Sequence, residues 1–118
     1  MSETGVDSGV RVILTTAPSG EVAERLALDL VAERLVACVN VVPGVLSVYR
    51  WQGAVRRDDE VMLVLKTAAG RVPDLLARLP ELHPYDVPEI LVLRVEEVSR
   101  SYLEWLAGET EAAGEVGR

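Results

Sequence analysis

A chain of 118 residues is long enough for one compact domain that buries roughly two thirds of its unfolded surface, and it implies no second one. With 49% hydrophobic and 26% charged residues it has a globular composition, not a disordered or fibrous one. Nineteen acidic against twelve basic residues leave a formal charge of −7, and no Lys/Arg cluster is interleaved with aromatics, so nucleic acid is not an expected partner.

The N-terminal MSETGVDSG has neither a basic region nor an apolar core and does not read as a targeting peptide. Arg34, Pro43 and Arg50 interrupt the longest apolar run well short of the ~20 residues that span a bilayer, so no membrane association is expected. The single cysteine, Cys38, excludes an internal disulfide and suits a reducing compartment. A cytoplasmic location is the expectation.

In chain order, Val10–Thr16 (VRVILTT) is β-branched and apolar and predicts a buried strand ending at Ala17-Pro18. Ser19 is placed to N-cap a helix, with Glu21 in its first turn, running to about Arg34. Ala23, Leu26, Ala27, Leu30 and Val31 supply its apolar stripe. Val36–Trp51 is too β-branched for a helix and is broken at Pro43-Gly44, which predicts a long strand with a bulge or bend. Gln52-Gly53 makes the hairpin turn, and Ala54–Thr67 returns, its charged Arg56–Glu60 part extending beyond the sheet.

A second helix begins around Arg71-Val72-Pro73, buries Val72, Leu75, Leu76 and Leu79, and ends or kinks at Pro80. Val87–Val98 predicts the fourth strand. Ser99–Leu106 predicts a short last helix capped by Ser99 or Ser101. Residues 1–9 and the acidic tail 108–118 are expected to be frayed, leaving 10–107 as the domain.

This order is β-α-β-β-α-β plus a terminal helix, the ferredoxin-like α+β pattern of a four-stranded antiparallel sheet with two helices on one face. The strands are apolar on both sides, yet the two helices cover one side only. A homo-oligomer that buries the second face is therefore expected.

The segments ACVNVVPGVLSVYRWQG (Ala37–Gly53), VMLVLKT (Val61–Thr67), LHPYDVPEI (Leu82–Ile90) and SYLEWL (Ser101–Leu106) resemble the divalent-cation tolerance family called CutA, in order and over about Val10–Leu106. The resemblance implies a ferredoxin-like subunit in a homotrimer joined by strand pairing, and a non-enzymatic role in tolerance of copper and other divalent metals. It implies no required cofactor, with a divalent metal such as copper as a possible ligand. Copper ligation in the family is attributed to a late first-strand cysteine and adjacent histidines. Here Thr15 and Thr16 occupy the strand and Leu82 precedes His83, so only one of those ligands remains.

His83 is thus either a metal ligand or a loop residue hydrogen-bonded to backbone, and Cys38 either a thiolate ligand or a buried thiol. Tyr49 and Trp51 share a strand face and form either a stacking platform or a subunit contact. Lys66 is expected beside Glu89 or Asp86. Asp58, Asp59 and Glu60 alternate faces and are expected on a solvated rim. Two functions compete: a metal-binding trimer using His83 with Cys38, and a module like the trimeric PII signalling proteins. The second would bind an anion or metabolite in intersubunit clefts of Thr15, Tyr49, Trp51, Lys66, Tyr85 and Glu89.

Overall fold

A computed structural model describes residues 6–111 of the chain. The elements are β1 (Val10–Ala17), α1 (Gly20–Ala32), β2 (Cys38–Trp51), β3 (Ala54–Ala68), α2 (Val72–Leu82), β4 (Leu91–Arg94) and α3 (Arg100–Glu109), with a 3-10 turn at Ala69–Arg71 leading into α2. The strands form one antiparallel sheet in the order β2-β3-β1-β4, as the ferredoxin-like reading expects.

Local signals explain the first helix. Ser19 is extended, and its hydroxyl accepts a hydrogen bond from the Val22 N–H, satisfying one of the orphan donors of α1. At the other end Arg34 takes a left-handed conformation (φ 59°), its N–H donates to the Val31 carbonyl, and the Leu35 N–H donates to the Leu30 carbonyl. This double return closes the helix and directs Leu35 into the core beside Leu30. The buried Thr67 hydroxyl donates to the Leu35 carbonyl (2.7 Å) and ties the same corner to β3.

Strand periodicity divides the sheet into two faces. Val61, Leu63, Leu65 and Thr67 of β3 are buried, in register with Ile13, Thr15 and Ala17 of β1. They pack under Ala23, Leu26 and Leu30 of α1 and under Leu75 and Leu79 of α2. Met62, Val64, Lys66 and Ala68 point to the opposite face. There α3 covers one end, with Leu106 buried in a second small core with Val10 and Ala37. The rest of that face is open. Val42, Leu91 and Leu93, which share it, are 44%, 51% and 46% exposed.

Four expectations are corrected. The fourth strand is four residues, not Val87–Val98: Pro88 lacks an N–H to donate, and beyond Arg94 the chain turns so that Val95 and Val98 pack under α3. Of the end or kink expected at Pro80, the end does not occur: α2 continues to Leu82, because a proline in the last turn forfeits only one helical hydrogen bond. Ser99 occupies the N-cap position of α3 without a side-chain cap bond, and Ser101 lies inside that helix. The domain also reaches past 10–107. The Asp7 carboxylate accepts from the Gly9 N–H and from Arg11, α3 passes Gly108, and the buried Thr110 hydroxyl donates to the Leu106 carbonyl. The rest of the expected frayed ends, 1–5 and 112–118, lies outside the described residues.

Thr15 is the only buried side-chain donor or acceptor among the described residues without a hydrogen-bond partner, and it is fully inaccessible among Ile13, Leu63 and their neighbours. An unpartnered buried hydroxyl costs roughly 1–3 kcal/mol. Thr15→Val should therefore raise stability by about 1 kcal/mol, seen as a higher urea midpoint at unchanged slope. A lower midpoint would mean that the hydroxyl is paired.

Candidate functional site

The site originates in the β2–β3 hairpin. Its two-residue turn, Gln52-Gly53, has positive φ at both positions (50° and 80°), the geometry that matches the twist of tightly connected strands. Farther back, Pro43 and Gly44 of β2 oppose Val61 alone, a bulge in which Gly44 takes φ 79°. One inserted residue reverses the parity of everything after it. Before the bulge Cys38, Asn40 and Val42 face the open side; after it Val45, Ser47, Tyr49 and Trp51 do. The bulge therefore places Tyr49 and Trp51 on the same face as Asp58 and Glu60 of β3.

The segment after α2 closes the other side. His83 is buried, and both of its ring nitrogens are used. Nε2 lies 2.8 Å from the Thr16 carbonyl, and Nδ1 accepts a hydrogen bond from the Tyr85 N–H (3.1 Å). Since Nδ1 accepts, Nε2 carries the proton and donates to Thr16. Tyr85, with its ring 4.9 Å from the imidazole, is thereby aimed across the open face, where its hydroxyl donates to Glu60 Oε2 (2.6 Å).

Between these walls lies a cleft of about 720 Å³, lined by Thr16, by Ser47, Val48, Tyr49 and Trp51 of β2, by Asp58 and Glu60 of β3, and by the run from Pro84 to Glu89. It carries four carboxylates, Asp58, Glu60, Asp86 and Glu89, and no Lys, Arg or His among its lining residues. The Tyr49 hydroxyl donates to Asp58. That bond raises the Tyr49 pKa above the ordinary phenol value, while burial, followed by the bond to Glu60, raises that of Tyr85. Both phenols stay protonated donors, and each accepting carboxylate keeps an oxygen free for a ligand.

The expected site residues separate into those the cleft gathers and those it does not. Tyr49, Trp51, Tyr85 and Glu89 line it. Thr15 does not; it faces the helices. Lys66 does not join Asp86 or Glu89; it lies opposite Cys38 near the start of β2 and donates to Asn40 Oδ1. Cys38 and His83 are apart as well. Cys38 is level with Lys66 and Val12, whereas His83 holds Thr16, level with Met62, a separation of roughly 13 Å along β1 at ~3.3 Å per residue. The half-buried Cys38 neighbours Tyr102 of α3, whose pKa is raised by burial first. Within the single chain both imidazole nitrogens are engaged and no thiol lies nearby, so His83 and Cys38 are not brought together. Among the described residues no three His, Cys, Asp or Glu side chains group to hold a metal ion.

Asp58, exposed as expected, and the half-buried Glu60 line the rim of the cleft. The period of two that separates Asp59 from them also brings the two together opposite Ser47 and Val45. His83→Ala would leave the Thr16 carbonyl and Tyr85 N–H without their partner. It should lower stability by about 2 kcal/mol in urea denaturation, while Cys38→Ser stays near wild type. Wild-type stability in His83→Ala would remove the imidazole from this structural role.

Comparison with known proteins agrees with the architecture. Residues 11–109 match the model of the CutA1 divalent ion tolerance protein family. The chain is 52% identical over 99 residues to the divalent-cation tolerance protein CutA of Thermus thermophilus, covering 84% of this chain and 96% of that one. It is 42% identical over 99 residues to the chloroplastic protein CutA of Arabidopsis thaliana, covering 84% of this chain and 54% of that one. The solved structure of the divalent cation tolerance protein (Cut A1) from Thermus thermophilus superposes with a TM-score of 0.83 at 51% identity, over 86% of this chain and 99% of that chain. With the family match spanning nearly the whole sheet, all three helices and the cleft, this chain belongs to the CutA1 divalent ion tolerance family.

Proposed function

We propose that the protein is a non-enzymatic homotrimer that supports tolerance of divalent cations and whose cleft accepts positive charge. The observation that carries this reading is the lining: four carboxylates, three aromatic rings and no basic side chain. Such a surface repels an anion and attracts a cation. The anion-binding alternative loses its key residue, because Lys66 is elsewhere. A copper site at His83 and Cys38 is not part of the proposal. Hard divalent ions with much of their hydration shell retained suit dispersed carboxylates better, and bind them weakly. Neither histidine, lysine nor cysteine lines the cleft, which favours binding over nucleophilic chemistry.

Trimer formation is supported by the open face. Val42, Leu91 and Leu93 are apolar and exposed, and β2 and β4 both present free strand edges to another copy. No helix among the described residues is long and apolar enough to cross a membrane. The unpaired Cys38 suits the reducing cytoplasm, where we place the protein.

Two measurements test the proposal. Sedimentation should give a trimer at micromolar concentration, with a Tm that rises with protein concentration, and Leu91→Ala with Leu93→Ala, at side chains 51% and 46% exposed in the single chain, should loosen it. A monomer throughout would defeat the assembly. Equilibrium dialysis against Mn(II) and Cu(II) should show weak uptake that falls in the double variant Asp86→Asn, Glu89→Gln and is unchanged in Cys38→Ser. Uptake indifferent to the two carboxylates would place the metal outside the cleft.

A further inference from the structure

The proposed reading makes the cleft a cation site; its geometry says which kind of cation. A bare metal ion needs several donors converging within about 2–2.6 Å of one point. Here the carboxylates are dispersed: no three of them group into a ligand set among the described residues, and the hydroxyls of Tyr49 and Tyr85 already hold Asp58 and Glu60. The cavity, about 720 Å³, is also far larger than an ion and falls within the range of small-molecule pockets, roughly 300–1,000 Å³.

Its walls are aromatic. Tyr49 and Trp51, 41% and 39% exposed, stand on one strand face toward Tyr85 across the opening. Aromatic faces attract cations that shed water easily, and carboxylates at the rim supply the counter-charge. A guanidinium or a quaternary ammonium meets both conditions; a strongly hydrated metal ion meets only the second.

Resting on the cation-site reading, we propose that the cleft binds a small organic cation bearing a guanidinium or quaternary ammonium group in preference to a bare divalent metal. The charged head lies between the free oxygens of the carboxylates, with Asp86 and Glu89 on the loop side. The alkyl part lies against Trp51 and Tyr49.

The test is titration calorimetry of the assembled protein at fixed ionic strength with ethylguanidinium, Mn(II) and acetate in separate runs. Ethylguanidinium is expected to bind more tightly than Mn(II), acetate not at all, and Asp86→Asn with Glu89→Gln to weaken ethylguanidinium at least about tenfold. The double variant's wild-type melting curve would show that the loss is local. Tighter binding of Mn(II) than of ethylguanidinium would overturn this inference and leave the cation cleft standing. Binding of acetate, or of neither cation because a second copy fills the cleft, would overturn both.

Discussion

Everything in this domain hangs on β3. With β1 it is one of the two strands that have partners on both sides, here β2 and β1, and its alternation decides what each face of the sheet can hold. Val61, Leu63 and Leu65 anchor α1 and α2; Met62, Val64 and Lys66 lie on the side that those two helices never reach. A one-residue slip of β3 would exchange these sets and bury Lys66 under α1. Continued past the sheet body, the same period of two carries Glu60 and Asp58 to the open face and makes the carboxylate wall of the cleft. Core and site are thus set by a single register.

The bulge at Pro43-Gly44 gives the opposite strand a different logic. In an unbroken ladder Tyr49 and Trp51 would share the face of Val39 and Val41, on the helix side of the sheet. Two residues against one reverse that, and Gly44, with φ 79°, supplies the conformation other residues adopt only under strain. The aromatic wall of the cleft is therefore a consequence of backbone geometry earlier in the same strand, independent of any contact that Tyr49 and Trp51 make.

Much of the fold was legible because its signals are local. Ser19 as a cap, the stripe Ala23, Leu26 and Leu30, the positive-φ turn at Gln52-Gly53 and the break at Pro43-Gly44 each act within a few residues. The length of β4 was not legible, since it depends on where β1 stops offering partners and where α3 draws Val95 and Val98 away. The site was legible in part. Tyr49, Trp51, Tyr85 and Glu89 stood out by residue type, but the place of Asp58 and Glu60 on the cleft rim depends on register across the hairpin. The isolation of Lys66 depends on its cross-strand neighbour Asn40. Thr15 shows the limit of reading by chemistry alone: a polar residue in a motif-bearing strand lies in the core, with its hydroxyl unpaired.

His83 is the residue whose chemistry most invites a metal, and its surroundings explain why it serves another end. An imidazole ligates through a nitrogen lone pair. Here the Nδ1 lone pair is given to the Tyr85 N–H, and the Nε2 proton to the Thr16 carbonyl. The ring links the end of β1 to the loop that carries Tyr85, Asp86 and Glu89, and Tyr85 in turn reaches Glu60 on β3. Three separate elements are joined through one buried side chain, and the cleft lies where they meet. Ligating a metal at either nitrogen would cost one of these bonds and, with it, a contact that holds the wall of the cleft.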